Sequence, residues 1–274
     1  MSIRVPFLLT ERHGRVVTLT LNRPDERNAI GSHADCAELV DAVEAAAADP
    51  GVAVLILTGA GSAFSAGGNL KAMRDRSLGK DGIGPLDSPL ATRNNYRRGI
   101  QRIPQALWDC ELPMIAAING HAIGAGLDLA CMCDLRIAAQ GAKLASSFIK
   151  MGIVPGDGGA YFLPRAVGLA KAAEMMFTGE PIGADEALAC GLVSRVVPAD
   201  TLLAEARTLA ERIACNPPQT LRLVKRLLRE AEHARLSEVL QLSAAFQALA
   251  HDTADHQEAL AAFFDKRTPQ FKGL

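Results

Sequence analysis

Hydrophobic residues recur with two different spacings, and the two spacings alternate along the first part of the chain. Residues 16–21 are rich in β-branched side chains, and residues 52–58 and 114–118 are continuous apolar runs of strand length. Such runs are typical of strands covered on both faces. Residues 32–48 instead place apolar side chains at helical spacing. Strands alternating with helices predict an α/β fold with largely parallel strands. Residues 79–88 hold too many glycines and prolines for a regular element and are predicted to be a mobile surface loop and a candidate lid.

The hydrophobic pattern changes near Pro198, after which strand signals vanish. Three segments beyond it are helical by period: residues 202–214, 218–234 and 238–265. We therefore predict an α/β core over residues 1–197 and a C-terminal helical region over residues 198–274.

Composition narrows the possible functions. Of the 274 residues 49% are hydrophobic, which supports a full core and excludes a disordered chain. Lys and Arg total 29 against 30 Asp and Glu, and only 4% of residues are aromatic. Neither figure suits a nucleic-acid-binding protein. The longest apolar stretch, residues 112–133, is interrupted by polar residues, so no membrane span is predicted. Six cysteines without a CxxC pair indicate a reducing compartment, and without a secretion signal they predict a cytoplasmic protein.

Two glycine-containing turns, residues 58–71 and 119–130, each follow a strand and precede a helix. A helix N-terminus presents unpaired backbone N–H groups at the positive end of the helix dipole. Two such termini facing each other would form an oxyanion hole, which binds a developing negative oxygen. Neither turn has the glycine spacing of a dinucleotide-binding fingerprint. From the residues alone, ordinary tight turns are an equally good interpretation.

Several motifs follow one another in a single order along nearly the whole chain. They are Asn22-Arg-Pro24 with Asn28-Ala29, Gly59-x-Gly61-x-Ala-Phe-Ser-Ala-Gly67, residues 113–134, Gly152-Ile-Val-Pro-Gly-Asp-Gly-Gly159 with Leu163-Pro-Arg165 and Val167-Gly168, Thr178-Gly179, residues 187–193 and Phe263-Phe-Asp-Lys-Arg267. Together they resemble the crotonase superfamily, the enoyl-CoA hydratase/isomerase family. This resemblance implies βαβ turns coiled into a spiral body, and C-terminal helices that build a homotrimer or a dimer of trimers.

The resemblance also implies an acyl-CoA thioester substrate, with coenzyme A arriving as part of the substrate and no permanently bound cofactor. By that analogy the N–H groups of Gly68 and Ala125 donate to the thioester oxygen, and residues 73–108, including Met73, Tyr96 and Trp108, line the acyl pocket. Positions that match the family's CoA contacts are Arg27, Asn28, Ala29, Ala66, Gly67, Asn69, Leu70 and Lys71, with Phe263 and Lys266 from a neighbouring subunit. Arg23, Arg27, Lys71 and Lys266 are candidate phosphate partners, although solvated surface cations explain each of them equally well.

The acid and base positions depart from the family pattern. Hydratases of the family hold a water between two carboxylates. The first position holds Asp128, which is one methylene shorter than the usual glutamate, and the second holds Phe148, which cannot transfer a proton. Asp157 is the candidate replacement, with an ordinary helix N-cap as its alternative role. An unequal pair of Asp128 and Asp157 around a water is therefore predicted, with the ring of Phe148 raising the proton affinity of the buried member.

We accordingly predict reversible hydration of a 2-enoyl-CoA. The alternatives are other enolate reactions (double-bond isomerisation, C–C cleavage or decarboxylation, and thioester hydrolysis) and a CoA-thioester-binding paralogue without turnover. His121, four residues before the second oxyanion position, is predicted to be a core histidine, with a place near the thioester as the alternative. His251 and His256, five residues apart, would not share a helical face and are interpreted as solvated, so no metal site is predicted.

Overall fold

A computed structural model describes residues 6–74 and 81–273 of the chain. The described residues form ten β-strands: β1 Leu8–His13, β2 Val16–Leu21, β3 Val54–Gly59, β4 Ala63–Ser65, β5 Met114–Ile118, β6 His121–Ile123, β7 Leu135–Ala139, β8 Lys143–Ala145, β9 Ile182–Gly183 and β10 Arg195–Val197.

The same residues form eleven α-helices. Seven of them lie between strands before β10, and the other four follow one another after it. The eleven helices are α1 His33–Ala48, α2 Leu70–Arg74, α3 Pro89–Arg98, α4 Arg102–Asp109, α5 Ala125–Met132, α6 Gly159–Thr178, α7 Ala184–Ala189, α8 Leu202–Ala214, α9 Pro218–Glu230, α10 Leu236–His251 and α11 Ala254–Asp265. Pro24–Glu26 and Ser147–Met151 are short 3-10 helices.

The strands form two sheets that the chain visits in turn. The larger sheet has the order β1-β2-β3-β5-β7-β10, and all its pairs except β1/β2 are parallel. The smaller sheet has the order β4-β6-β8-β9. Three times in succession a strand of the larger sheet (β3, β5, β7) is followed by a strand of the smaller one (β4, β6, β8). This repeated step matches the coiled βαβ turns that the resemblance implies, and the predicted α/β class is confirmed.

The larger sheet buries both faces because its strands carry apolar side chains at successive positions. Leu55 and Leu57 of β3 belong to the main core with α1, α4 and α5, whereas Val54 and Ile56 pack with α8 on the opposite face. This alternation follows from the two-residue period of a strand. After β10 the described chain contains helices only, and α8 completes the covered sheet. The boundary at residues 197/198 stays a prediction.

One prediction about local structure was wrong. The segment 238–265 is two helices, because the helix is interrupted at Asp252 and Thr253, where the Thr253 hydroxyl caps α11 by accepting from the His256 N–H at 3.1 Å. The described part of the predicted loop 79–88 is irregular, as expected, although Ile83 is buried and its N–H donates to Gly31 O at 3.0 Å. The mobility of this loop and its role as a lid stay predictions. Gly79 and Lys80 of that loop lie outside the described residues.

Four of the six cysteines are buried, and all six carry free thiols: Cys36, Cys110, Cys131, Cys133, Cys190 and Cys215. Burial raises the pKa of Cys131 and of Cys133 to about 12, so these two thiols stay protonated. Over residues 6–74 and 81–273, no helix combines the length and apolar character that crossing a membrane requires.

Candidate active site

The two glycine turns meet at the edge of the smaller sheet. They are joined through β4 and β6, which pair in parallel just before each turn. Gly67 has a φ of +83° and packs so closely that a methyl group on it would lie 2.5 Å from Ile123 O and 3.0 Å from Ala125 N. A side chain at this position would separate the turns, which explains the glycine.

Gly68 and Ala125 both line one cavity. Ala125 is the first residue of α5, so its N–H has no acceptor within the helix. Gly68 follows Gly67, whose carbonyl accepts from the Ile30 N–H at 2.8 Å, and the Gly68 N–H donates to no described acceptor. Two backbone donors without a described acceptor therefore lie beside one space, as an oxyanion hole requires. Their role in binding a thioester oxygen stays a prediction.

The cavity beside these donors has a volume of about 90 Å³ and mostly apolar walls. Its apolar lining includes Ile30, Leu70, Met73, Ile83, Ile100, Ile123, Phe148, Met151, Ile153 and Val154. The polar side chains among its described lining residues are Tyr96, Ser147 and Asp157. Of the pocket residues expected from the sequence, Met73 and Tyr96 lie here. Trp108 does not, and instead borders a separate groove beside Arg229.

Asp128 lies behind the cavity wall, in the first turns of α5, and its residue surface is 0% exposed. Its carboxyl group packs against the backbone of Gly159, where an added methyl group would overlap both carboxyl oxygens. No described N–H or O–H makes a well-aligned hydrogen bond to either oxygen. The sequence register therefore brings a carboxyl group to a site that offers it little solvation.

Asp157 precedes the N-terminus of α6 and is 3% exposed, on the cavity side. Its carboxyl group lies within hydrogen-bonding distance of the Asp128 carboxyl. Two ionised carboxylates are both acceptors, so this contact requires a proton between them. Burial, and then the charge of Asp157, raise the pKa of Asp128 well above its ordinary value, and burial also raises the pKa of Asp157. The aspartate pair, Asp128 and Asp157, therefore retains a shared proton to higher pH than two separate aspartates would.

Phe148 occupies the place of the second hydratase glutamate. Its ring lies against the turn that presents the Ala125 N–H, since a methyl group on Gly124 would be 3.7 Å from Phe148 Cζ. Both Phe148 and Asp157 border the cavity. The wall beside the second donor is therefore aromatic, and the described carboxyl groups at the site are those of the aspartate pair.

Comparison with known proteins gives the family. The enoyl-CoA hydratase/isomerase family model matches residues 11–274. The chain belongs to this family. It is 38% identical to the 2,3-dehydroadipyl-CoA hydratase of Escherichia coli (strain K12) over 97% of this chain and 98% of that protein. It is 37% identical to the 1,2-epoxyphenylacetyl-CoA isomerase of the same organism over 97% and 98%. A crystal structure of an enoyl-CoA hydratase from Bacillus anthracis superposes with a TM-score of 0.89 at 35% identity, over 98% of this chain and 100% of that one.

As an acyl-CoA enzyme of this family, the chain brings its two expected CoA segments side by side. The Ala66 N–H donates to Arg27 O, and the Ile30 N–H donates to Gly67 O, each at 2.8 Å. Arg27, Leu70 and Lys71 are exposed along this edge, Asn69 is half-buried, and Ala29 is buried. The roles of these residues in binding CoA stay predictions.

Asn28 is a structural member of this segment, with a fully buried side chain. Its amide donates to Ala60 O and to Ala63 O at 2.9 and 2.8 Å, and its Oδ1 accepts from the Arg23 N–H at 2.9 Å. Its backbone is used as well, since its N–H donates to Arg23 O at 2.9 Å and its carbonyl accepts from the Ser65 hydroxyl at 2.8 Å. The φ of +56° at Asn28 fits a residue type that tolerates the left-handed region.

Other candidate residues lie elsewhere. The Arg23 guanidinium makes a bidentate contact with the buried Asp35 at 2.6 and 3.0 Å, so it is already committed and is a poor phosphate partner. His121 is exposed, and the prediction of a core histidine was wrong because β6 turns this position outward. Phe263 and Lys266 are exposed on and just after α11 and do not border the cavity within the single chain.

His251 and His256 are solvent-accessible, and their rings contact each other. The helix break between them brings His251 Nδ1 to 2.9 Å from His256 Nε2, which a continuous helix would not allow. Within the described ranges no group of three or more His, Cys, Asp or Glu side chains could hold a metal ion. The expectation of no metal site stays a prediction.

Proposed function

We propose that this chain catalyses the reversible addition of water to a 2-enoyl-CoA thioester. The observation that carries the proposal is the aspartate pair, held behind and beside a cavity that two free backbone N–H groups also face. Gly68 and Ala125 would bind the thioester oxygen, and Asp157 would exchange the proton. The hydratase names of similar proteins support the same reaction.

The chemistry follows from this arrangement. The water oxygen bonds to the β-carbon while one water proton passes to the Asp157 carboxylate. The C=C electrons move to the thioester oxygen, where each backbone donor is worth about 3 kcal/mol of barrier. When the enolate collapses, the α-carbon takes the proton back from Asp157, and the product is the 3-hydroxyacyl thioester. Asp128 keeps the proton that it shares throughout, so one carboxyl group acts first as a base and then as an acid.

Double-bond isomerisation is the second candidate, because Phe148 removes the second carboxylate that a hydratase normally places beside the water. A single proton-carrying pair is sufficient to move a proton between the α- and γ-carbons. The similarity to an isomerase supports this alternative. The two reactions differ in product mass, since isomerisation adds no oxygen to the acyl chain.

The first test is incubation with crotonyl-CoA and longer 2-enoyl-CoA thioesters in heavy-oxygen water, read by mass spectrometry. Addition of one labelled water, reduced at least about a hundredfold by Asp157→Asn and by Asp128→Asn, is the expected result. Asp200→Asn, an exposed aspartate, is the matched control and should keep full activity. In a parallel incubation in deuterium oxide, deuterium exchange at the γ-carbon without oxygen uptake would favour isomerisation. Thioester binding without either reaction would leave a binding protein.

We further propose a homotrimer or a dimer of trimers in the cytoplasm, with residues 198–274 as the assembly region and Phe263 and Lys266 reaching a neighbour's CoA. Large apolar side chains are exposed on α9, α10 and α11, and Phe263 and Phe264 are each 77% exposed. So much exposed apolar surface favours burial between subunits. Light scattering of the purified protein tests this, and a monodisperse monomer would contradict it.

A further inference from the structure

The resemblance gives Tyr96 only a place in the lining of the acyl pocket, and the proposed reaction does not use its hydroxyl. Tyr96 lies near the end of α3, and its ring borders the cavity together with Asp157. A methyl group on Gly156 would lie 3.1 Å from Cε1 and 3.2 Å from Cδ1 of this ring. The tyrosine therefore packs on the residue next to Asp157, which leaves no room for a side chain at position 156.

The loop that carries Asp157 is tied to the chain that carries Tyr96. The Gln101 amide, just beyond α3, donates to Gly156 O at 2.7 Å. Asn95, the neighbour of Tyr96, is buried and holds the backbone of Gly82 and Gly84 at 2.9 and 3.0 Å. Tyr96 is thus held on a fixed helix, which is the condition for positioning a small molecule precisely.

The Tyr96 hydroxyl makes no hydrogen bond within the described residues, and it is uncharged. Burial, and then the nearby charge of Asp157, raise the pKa of Tyr96 above its ordinary value. The group is a neutral phenol at physiological pH, able both to donate and to accept. Tyr96 and Asp157 line the same cavity, so one small molecule bound there can meet both side chains.

We propose that Tyr96 binds the reacting water, in place of the glutamate that Phe148 displaces. One hydrogen of the water is donated to Asp157 and the other to the phenol oxygen, which leaves a lone pair of the water free for the β-carbon. No atom is gained or lost at Tyr96, because the proton still passes to Asp157. This inference rests on the proposed hydration.

Ser147 is the competing polar side chain, and its position argues against it. Ser147 Oγ lies 3.8 Å from where a methyl group on Gly124 would be, beside the turn of the second N–H donor. It is therefore on the side of the cavity that takes the thioester oxygen. Tyr96 is on the side of Asp157, where the water has to lose its proton.

The test separates addition of water from movement of a proton. With Tyr96→Phe, hydration of crotonyl-CoA should fall roughly tenfold, the value of one well-placed hydrogen bond. Exchange of the α-proton of butyryl-CoA in deuterium oxide should stay within about twofold, because exchange requires Asp157 and the two N–H donors but no bound water. Tyr161→Phe is the matched control, since its hydroxyl contacts His233 at 2.5 Å outside the cavity.

The possible outcomes are distinct. Unchanged hydration by Tyr96→Phe, or an equal loss of hydration and exchange, would overturn the role of Tyr96. So would a Ser147→Ala protein that loses hydration while keeping exchange. A wild-type protein that exchanges the α-proton but never adds water would contradict the proposed hydration instead, and Tyr96→Phe would then leave no hydration to compare.

Discussion

Replacing Asp128 by Asn should stabilise the protein at neutral pH while it damages turnover. The carboxyl group of Asp128 is fully buried against Gly159 and faces the carboxyl group of Asp157. In the unfolded chain both groups would ionise near their ordinary pKa, whereas the folded chain has to retain a proton between them. That requirement costs stability, because active sites keep groups in environments that the fold alone would not favour.

The sign follows from proton linkage. The folded pKa of Asp128 lies above the unfolded value, so the folded state binds more protons and the free energy of unfolding falls as pH rises. Each pH unit between the ordinary value and the raised one costs about 1.4 kcal/mol. An Asn at this position carries no titrating proton, and its amide can donate to Asp157. Its remaining buried polar atoms cost about 1 to 2 kcal/mol.

The expected net gain is about 1 to 3 kcal/mol at pH 8, and it should shrink as the pH falls towards the ordinary pKa of an aspartate, where the wild-type pair takes up protons. At roughly 2 to 4 °C per kcal/mol, the melting temperature should rise by several degrees at pH 8. Thermal unfolding of Asp128→Asn and of the exposed control Asp200→Asn, followed at pH 4, 6 and 8, measures the difference. A shift that does not grow with pH, or a loss of stability at pH 8, would refute the shared proton.

Two further substitutions test the oxyanion hole and the attachment of the C-terminal helices. Gly67→Ala should lower hydration by about 10² to 10³, because the methyl group separates the donor turns. Gly141→Ala, with nearly the same positive φ but no neighbour within 4 Å, should lose a little stability and keep its rate, and equal losses would exclude the steric reason. Lys225→Met should cost about 1 to 3 kcal/mol in urea unfolding, because the Leu112 carbonyl loses the buried Lys225 ammonium as its donor. Asp134, 2.7 Å from that ammonium, keeps Arg229 as a partner at 3.3 Å. The neighbouring Arg226 is exposed and serves as the control, and Arg226→Met should cost under about 1 kcal/mol. A cost equal to that of Lys225→Met would contradict the importance of the buried position.

The fold could be predicted from the sequence because local pattern and tertiary packing agree along most of the chain. Strand β2 and helix α8 have the bounds that their apolar periods predict, and the residue that caps α1, Ser32, is the expected first residue of that helix. The break between α10 and α11 was not predicted. Apolar residues keep the helical period through Asp252 and Thr253, so the period does not reveal the break. In the structure the Thr253 hydroxyl accepts from the His256 N–H and caps a new helix.

The candidate site could be predicted residue by residue, but not its contacts. The positions of Gly68, Ala125, Asp128 and Asp157 came from motif register. The sequence predicted a pair of aspartates around a water, but not their direct contact, which depends on how α5 and α6 pack at Gly159. For Asn28 the sequence predicted a role that its side chain does not have in the structure. Its motif position suggested a ligand contact, whereas its side chain is used to join β3 and β4 through the Ala60 and Ala63 carbonyls.

The Phe148 ring affects both the hydrogen bond to the enolate oxygen and the position of the reacting water. A phenyl ring beside the Ala125 donor lowers the local polarity and strengthens any hydrogen bond to the enolate oxygen, because fewer competing dipoles and waters remain. The same ring takes away a hydrogen-bond partner of the water, so the water has to be held from another element. Helix α3 contacts the loop of Asp157 through Tyr96, and Gln101, just beyond this helix, donates to the same loop. The replacement at position 148 and the tyrosine at position 96 are therefore two parts of one arrangement, in which a proton-sharing pair replaces two separate carboxylates.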